Sequence, residues 1–281
     1  MFVPDTRIDE ITFFYNKLKE KDARRRTINS ELIGRQRELA YKGIIYYVLR
    51  EIRGQFNDRI NAVLNVGGDL GIDLIIMRNN GIDIRQGDSV DLFVPNDKVD
   101  FPTYIYGSVY NLPEISNGKK YDLVLLKEVI EHLYDPDRAI NSIKEVMKRD
   151  GTIIITTPNL TSLINRLLLF FGFLPMSYEV STKKAFGKPG RFNTHEGAAG
   201  HIRLFSYRAI KEFLHYYGFD IVRIYTIPTA PSDDLSLKSP VIIFEKILHK
   251  FTKKLCSTII IVAKIGGSRT LDNDNRIDQY K

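Results

Sequence analysis

From residue 62 onward, short apolar runs of strand length alternate with stretches of helical periodicity. That alternation constrains the fold more than any other feature, because strands separated by helices predict a parallel sheet covered on both faces. Seven strands are expected, near 62–66, 82–88, 103–107, 121–126, 152–156, 219–227 and 257–264. A helix over Ile72 to Arg78 stops at Asn79, Asn80 and Gly81. Asp135 and Pro136 are an N-cap and a first-turn proline, and Ile140, Ile143 and Met147 line the inner face of their helix. Ser206 caps a further helix that presents Ile210, Phe213, Leu214 and Tyr217 on one face and ends at Gly218. The fold class that follows is α/β: a doubly wound, mostly parallel seven-stranded sheet, with the last two strands at an edge.

Four other segments complete the expected organisation. Residues 1–60 read as a helical cap, with Tyr41, Ile45, Val48, Leu49 and Ile52 at helix spacing, ahead of a domain over 61–265. Residues 160–203 form a long stretch with Gly187, Gly190, Gly197 and Gly200 as hinges, which suits a gate on the acceptor side. An inserted amphipathic helix is expected over 239–255 and a polar tail over 266–281.

Composition narrows the class. The 281 residues are 43% hydrophobic and 27% charged, which excludes a wholly disordered chain and a multi-pass membrane protein. No apolar run approaches the ~20 residues of a membrane span. The N-terminus carries Asp and Glu where a signal peptide needs a basic flank. One cysteine, Cys256, supports neither an internal disulfide nor a Cys-based zinc site, so a cytoplasmic location is expected. The net charge of +7 suits anionic partners. The triplet Arg24 to Arg26 reads as a solvated helix face, and no RNA-binding module is recognisable, so no nucleic acid is expected.

The chemistry starts at VLNVGGDLG, residues 63–71, where a strand runs into a glycine-rich turn and then a helix. Gly67, Gly68 and Gly71 let backbone approach a ligand, and a helix N-terminus adds free N–H donors. Asp88, 21 residues after Gly67, is placed at the end of strand two, where a carboxylate accepts ribose hydroxyls. Asp83 and Asp91 are its rivals, and strand register decides among them.

The segment YDLVLLKEVIEHLYDP, residues 121–136, resembles the fourth strand and following loop of class I S-adenosylmethionine-dependent methyltransferases. KEVMKRDGTIIITTPN (144–159) resembles that family's fifth-strand region, GSVYNLP (107–113) its adenine-contacting segment, and GHIRLFS (200–206) its post-core segment. The resemblance covers about residues 60–265 in the right order. It implies a Rossmann-like methyltransferase fold and S-adenosylmethionine as cofactor. The cofactor would be held by Gly67, Gly68, Gly71, Asp88, Ser108, Val109 and Lys127. Asn65, Asp69 and Ser108 depart from the family's acid, middle glycine and adenine-binding acid. Asp69 adds bulk and charge to the turn, and a non-catalytic binding protein on the same scaffold is the alternative function.

An oxygen acceptor often needs a base. His132, His195 and His201 are candidates, and the resemblance favours His132 and His201 on the acceptor side. Were residues 128–132 helical, Glu128, Glu131 and His132 would share a face. Those residues with His201 also resemble the Glu-Glu-His-His set of metal-dependent O-methyltransferases that act on terminal RNA riboses. The Glu-x-x-Glu-His block is widespread in members without metal, so no metal site is assigned. The apolar run Leu167 to Leu174 suits a small or lipid-like acceptor, a peripheral membrane contact, or simple burial. The expected activity is methyl transfer, with oxygen as the favoured acceptor atom.

Overall fold

The computed structural model describes residues 30–67, 71–92, 100–181, 183–184, 186–189, 200–227, 247 and 252–266, with side chains from residue 43 onward. Helix α1 spans Ser30–Phe56 and leads into β1, Arg59–Val66. Then follow α2 (Ile72–Asn79), β2 (Asp83–Asp91), β3 (Thr103–Tyr106), the short α3 (Leu112–Ile115) and β4 (Tyr121–Lys127). Helix α4 (Pro136–Val146), β5 (Met147–Pro158) and α5 (Leu163–Phe170) come next. Helix α6 (Tyr207–Tyr216), β6 (Phe219–Ile227) and β7 (Thr258–Ile265) close the fold.

The seven strands form one sheet in the order β3-β2-β1-β4-β5-β7-β6. Strands β1 to β5 are parallel, with Val66 level with Val90 on β2 and with Leu126 on β4. The last two strands make the far edge, where β7 runs antiparallel to both β5 and β6, so that β7 is reversed and β6 again runs with β5. The chain winds outward from β1 to β3 and then returns to β4 on β1's other side. A crevice therefore opens between the carboxyl ends of β1 and β4.

Helices cover both faces. Leu112, Ile140, Ile143, Ile210 and Leu214, from α3, α4 and α6, pack on one face against Leu64, Val124 and Ile153. Ile45, Val48, Leu49 and Ile52 of α1, with Leu74 and Met77 of α2, pack on the other against Val63, Leu125 and Ile260. The α1 residues recur at helical spacing and are all nearly inaccessible to solvent, each worth about 1.5–3 kcal/mol of burial. Buried Glu51 ties α1 to the sheet edge by accepting the Tyr225 hydroxyl. This part of the N-terminal segment is thus a layer of the sheet's own core.

The caps follow the sequence closely. Asp135 accepts the Arg138 N–H at 2.9 Å, and Ser206 accepts that of Ala209 at 3.0 Å. Three expectations need correction, and the 160–203 stretch gains a defined element. Met147 begins β5 rather than extending α4, because the backbone turns extended at that residue. Strand β2 runs three residues past Asp88. The 160–203 stretch contains a helix, α5, capped by Ser162. Residues 128–132 are not an α-helix: Glu128 has a positive φ of 52°, and only a single 3-10 turn, Ile130–His132, follows. Residues 1–29 and most of 239–251 lie outside the described residues, as does the tail from 267. Within 252–255 the backbone forms a 3-10 turn at Lys253–Leu255. No described helix is long and apolar enough to cross a membrane.

Candidate active site

The crevice is bounded first by glycines. Gly67 and Gly71 have φ of 67° and 68°, a region that side chains rarely adopt. A Cβ at Gly67 would lie 2.5 Å from a Val129 methyl, and one at Gly71 2.4 Å from the Pro102 ring. Both positions therefore require glycine on steric grounds. Gly67 N–H also donates to the Val90 carbonyl at 2.8 Å, fastening the turn to β2. Gly68 and Asp69 lie outside the described residues. One register step below Val66 and Val90, Asn65 and Ser89 face across the β1–β2 pair. Both are buried, and neither side chain has a hydrogen-bond partner among the described residues.

Asp88 is not at the mouth of the sheet. It is fully buried, and its Oδ2 accepts the Tyr121 hydroxyl at 2.7 Å, Lys119 Nζ at 2.9 Å and Gln86 Nε2 at 2.9 Å. Burial first, and the bond to Asp88 second, raise the Tyr121 hydroxyl far above the usual tyrosine range, so it remains a donor. The acid at the carboxyl end of β2 is Asp91, half-buried, with its carbonyl accepting Gly107 N–H at 3.0 Å. In the sequence, Pro95-Asn96 is a pair of residue types that favours turns, and it is the local signal for this later strand end. Lys127 is also engaged inside the protein, in a buried ion pair with Asp73 in the first turn of α2.

Ser108 caps a 3-10 turn over Val109–Asn111. Its Oγ accepts Tyr110 N–H at 3.3 Å and its own N–H donates to Asn111 Oδ1 at 3.1 Å. Val109 is buried. Beside Ser108 lies an open cleft of about 480 Å³ lined by Leu92, Tyr106, Tyr110, Asn111 and Arg138. That volume falls in the range of small-molecule sites.

The structure brings His132 and His201 together, with ring centroids 4.7 Å apart and planes tilted by 49°. His132 Nδ1 lies 3.1 Å from the Gly200 carbonyl, and His201 Nδ1 lies 2.8 Å from the Ser177 carbonyl. A carbonyl only accepts, so each Nδ1 carries a proton and Nε2 is the nitrogen of each ring left to act as a base. Burial, then the neighbouring His201, lower the pKa of His132. The loop carrying His201 is docked on the β4 turn: the Glu131 carbonyl accepts Ile202 and Arg203 N–H at 2.8 and 2.9 Å. A second clamp is Glu179, whose Oε2 accepts Gly200 N–H at 2.7 Å and His201 N–H at 3.3 Å. Sequence reasoning passed over Glu179, because nothing local marks a loop carboxylate as a clamp. His195 lies outside the described residues.

Glu131 is fully buried. Its Oε2 accepts the Thr157 hydroxyl at 3.2 Å, and its Oε1 has no partner among the described residues. Burial, with the Glu128 charge adding, pushes its carboxyl up to about 8. One atom each of Glu131, His132 and His201 lies within 4.8 Å of the others. Glu128 turns aside to accept the Thr156 hydroxyl at 2.8 Å.

Residues 34–224 match the family described as "Methyltransferase domain". No curated protein matches the chain. Among solved structures, similarity extends to magnesium protoporphyrin IX methyltransferase from Synechocystis with bound S-adenosylhomocysteine. That structure has 14% identity and a TM-score of 0.53, covering 91% of this chain and 98% of that one. An S-adenosylmethionine-dependent methyltransferase from Clostridium acetobutylicum has 12% identity and a TM-score of 0.52, covering 91% and 99%. The Burkholderia thailandensis 1,6-didemethyltoxoflavin-N1-methyltransferase, solved with its acceptor and S-adenosylhomocysteine, has 13% identity and a TM-score of 0.50, covering 95% and 94%. At such identities the structural likeness speaks to the fold.

Proposed function

The chain belongs to the methyltransferase-domain family and is an S-adenosylmethionine-dependent methyltransferase, and from that premise we propose that it methylates an oxygen of a small or lipid-like acceptor. When bound, the cofactor supplies a methyl group on a positively charged sulfur, which an acceptor displaces in line. The residues at the crevice fit that group. Gly67 and Gly71 shape the turn, Asp91 is the acid for the ribose, and Ser108 and Val109 line the adenine side. The orphaned amide of Asn65 adds polar capacity at the same end of β1. Asp88 and Lys127 act as internal supports of the sheet rather than as cofactor contacts.

The observation that carries the reading is the imidazole pair beside the end of β4. Both Nδ1–H groups are held on carbonyls, so each ring offers a fixed basic Nε2. One of them takes the acceptor's hydroxyl proton as the methyl group transfers. Calorimetry with S-adenosylhomocysteine tests the cofactor site. Transfer from radiolabelled S-adenosylmethionine to a panel of phenols and hydroxylated lipids tests the acceptor class. His132→Ala and His201→Ala should lower turnover by roughly 10²–10⁴ with cofactor affinity unchanged. Full activity in both variants would remove the base from the mechanism.

A second reading is favoured by the convergence of Glu131, His132 and His201 within 4.8 Å. Two imidazole nitrogens and a buried carboxylate form a donor set suited to a divalent first-row ion, which would polarise the hydroxyl. Bonds of about 2.0–2.2 Å span at most ~4.4 Å between opposite ligands, so a pair at the 4.8 Å limit closes by a few tenths of an ångström on binding. Activity lost to a chelator and restored by a divalent ion would favour this reading. Activity indifferent to chelation would leave the base.

A further inference from the structure

The end of α5 and the loop after it expose an unusual amount of apolar surface. Phe170 is 80% exposed, Phe171 68% and Leu169 54%, with Phe173, Met176 and Phe186 also open to solvent. An apolar ridge of this kind marks an interaction surface, not a solvated face.

The ridge is held firmly. Phe173 N–H donates to the Leu168 carbonyl and Leu174 N–H to that of Gly187, both at 2.8 Å. Met176 N–H donates to Asn165 Oδ1 at 2.9 Å. Asn165 Nδ2 donates in turn to the Asn159 carbonyl at 2.9 Å, and the Asn159 amide reaches Cys256 O at 2.7 Å. A chain of hydrogen bonds therefore ties the ridge to the sheet. Buried Lys188 closes the loop from inside by donating to the Pro175 and Tyr178 carbonyls.

Charge selects the partner. Arg166, Lys183 and Lys184 are exposed in this segment. Lys184 Nζ lies 5.9 Å from the centre of the Phe186 ring, so cation and aromatic share one surface. The one acid in residues 160–189 is Glu179, and its carboxylate is committed to the Gly200 and His201 amides. Protruding phenylalanines flanked by cations, without competing acids, match a bilayer surface with anionic headgroups. Rings enter the acyl boundary while Lys and Arg meet phosphates.

We propose that this ridge docks the protein on an anionic lipid surface. The ridge follows β5 directly and so lies at the carboxyl end of the sheet, the end that carries the histidine pair. Docking there would present the site to the bilayer. The proposal does not depend on which atom accepts the methyl group.

The test is co-sedimentation of the full chain with vesicles of phosphatidylcholine alone, or mixed equally with phosphatidylglycerol. Wild type should sediment with the mixed vesicles, less with phosphatidylcholine and less at high salt. Phe170→Ser/Phe171→Ser should lower partitioning at least tenfold, with melting temperature and S-adenosylhomocysteine affinity unchanged. Lys183→Ala/Lys184→Ala should lower binding to mixed vesicles and flatten its salt dependence. Wild type that stays in the supernatant with both vesicles would overturn the proposal. So would a Phe170/Phe171 variant that sediments like wild type. Light scattering that shows a wild-type dimer broken by the phenylalanine changes, without vesicle binding, would overturn it in favour of a second copy.

Discussion

Replacing Asp88 and Asp91 separately by alanine separates a structural carboxylate from a ligand-binding one. Asp88 Oδ2 gathers three donors in a fully buried place. Asp88→Ala leaves the Tyr121 hydroxyl, itself inaccessible to solvent, without its acceptor, at about 1–3 kcal/mol. Lys119 keeps 38% of its side chain exposed and regains water, so its share is smaller, under about 1 kcal/mol. The sum is about 3 kcal/mol, a fall of about 6–12 °C in melting temperature for a domain of this size. Asp88→Asn retains an acceptor for Tyr121 and should cost less. Asp91→Ala should weaken S-adenosylhomocysteine by about 1.5–3 kcal/mol, roughly 10- to 150-fold. Thermal denaturation and calorimetry on the same preparations give both readouts. If Asp88→Ala keeps its stability and loses the cofactor, Asp88 touches the ribose and the strand-end argument fails.

Glu179→Ala should reduce turnover about 10- to 100-fold with cofactor affinity intact, because two backbone bonds of about 1.5–3 kcal/mol at most each release the loop that sets both imidazoles. Glu179→Gln, which keeps an acceptor, should recover most of it, and equal turnover in all three proteins would refute the clamp. Gly71→Ala forces a side chain into a φ of 68° and against Pro102. It should cost about 1–3 kcal/mol, read as a lower denaturation midpoint, and an unchanged midpoint would contradict the steric account.

Much of the architecture was legible along the chain. Periodicity depends on neighbours three or four residues away, so α2, α4 and α6 could be read locally, as could the caps at Asp135 and Ser206. The glycine turn after β1 was visible for the same reason, since a left-handed backbone selects its residue type on the spot. Strand ends and partners were not local. Whether β2 stops at Asp88 or Asp91 depends on pairing with β1 and β3, and Asp88 is sealed by Lys119 and Tyr121, 31 and 33 residues away. Insertion of β7 between β5 and β6 rests on hydrogen bonds across long separations. The site depends most on folding. His132 finds its carbonyl at Gly200, 68 residues on, and His201 is aimed by Ser177 and Glu179. Local propensity chooses elements, but the burial of a carboxylate and the aim of an imidazole belong to contacts made only when remote segments pack.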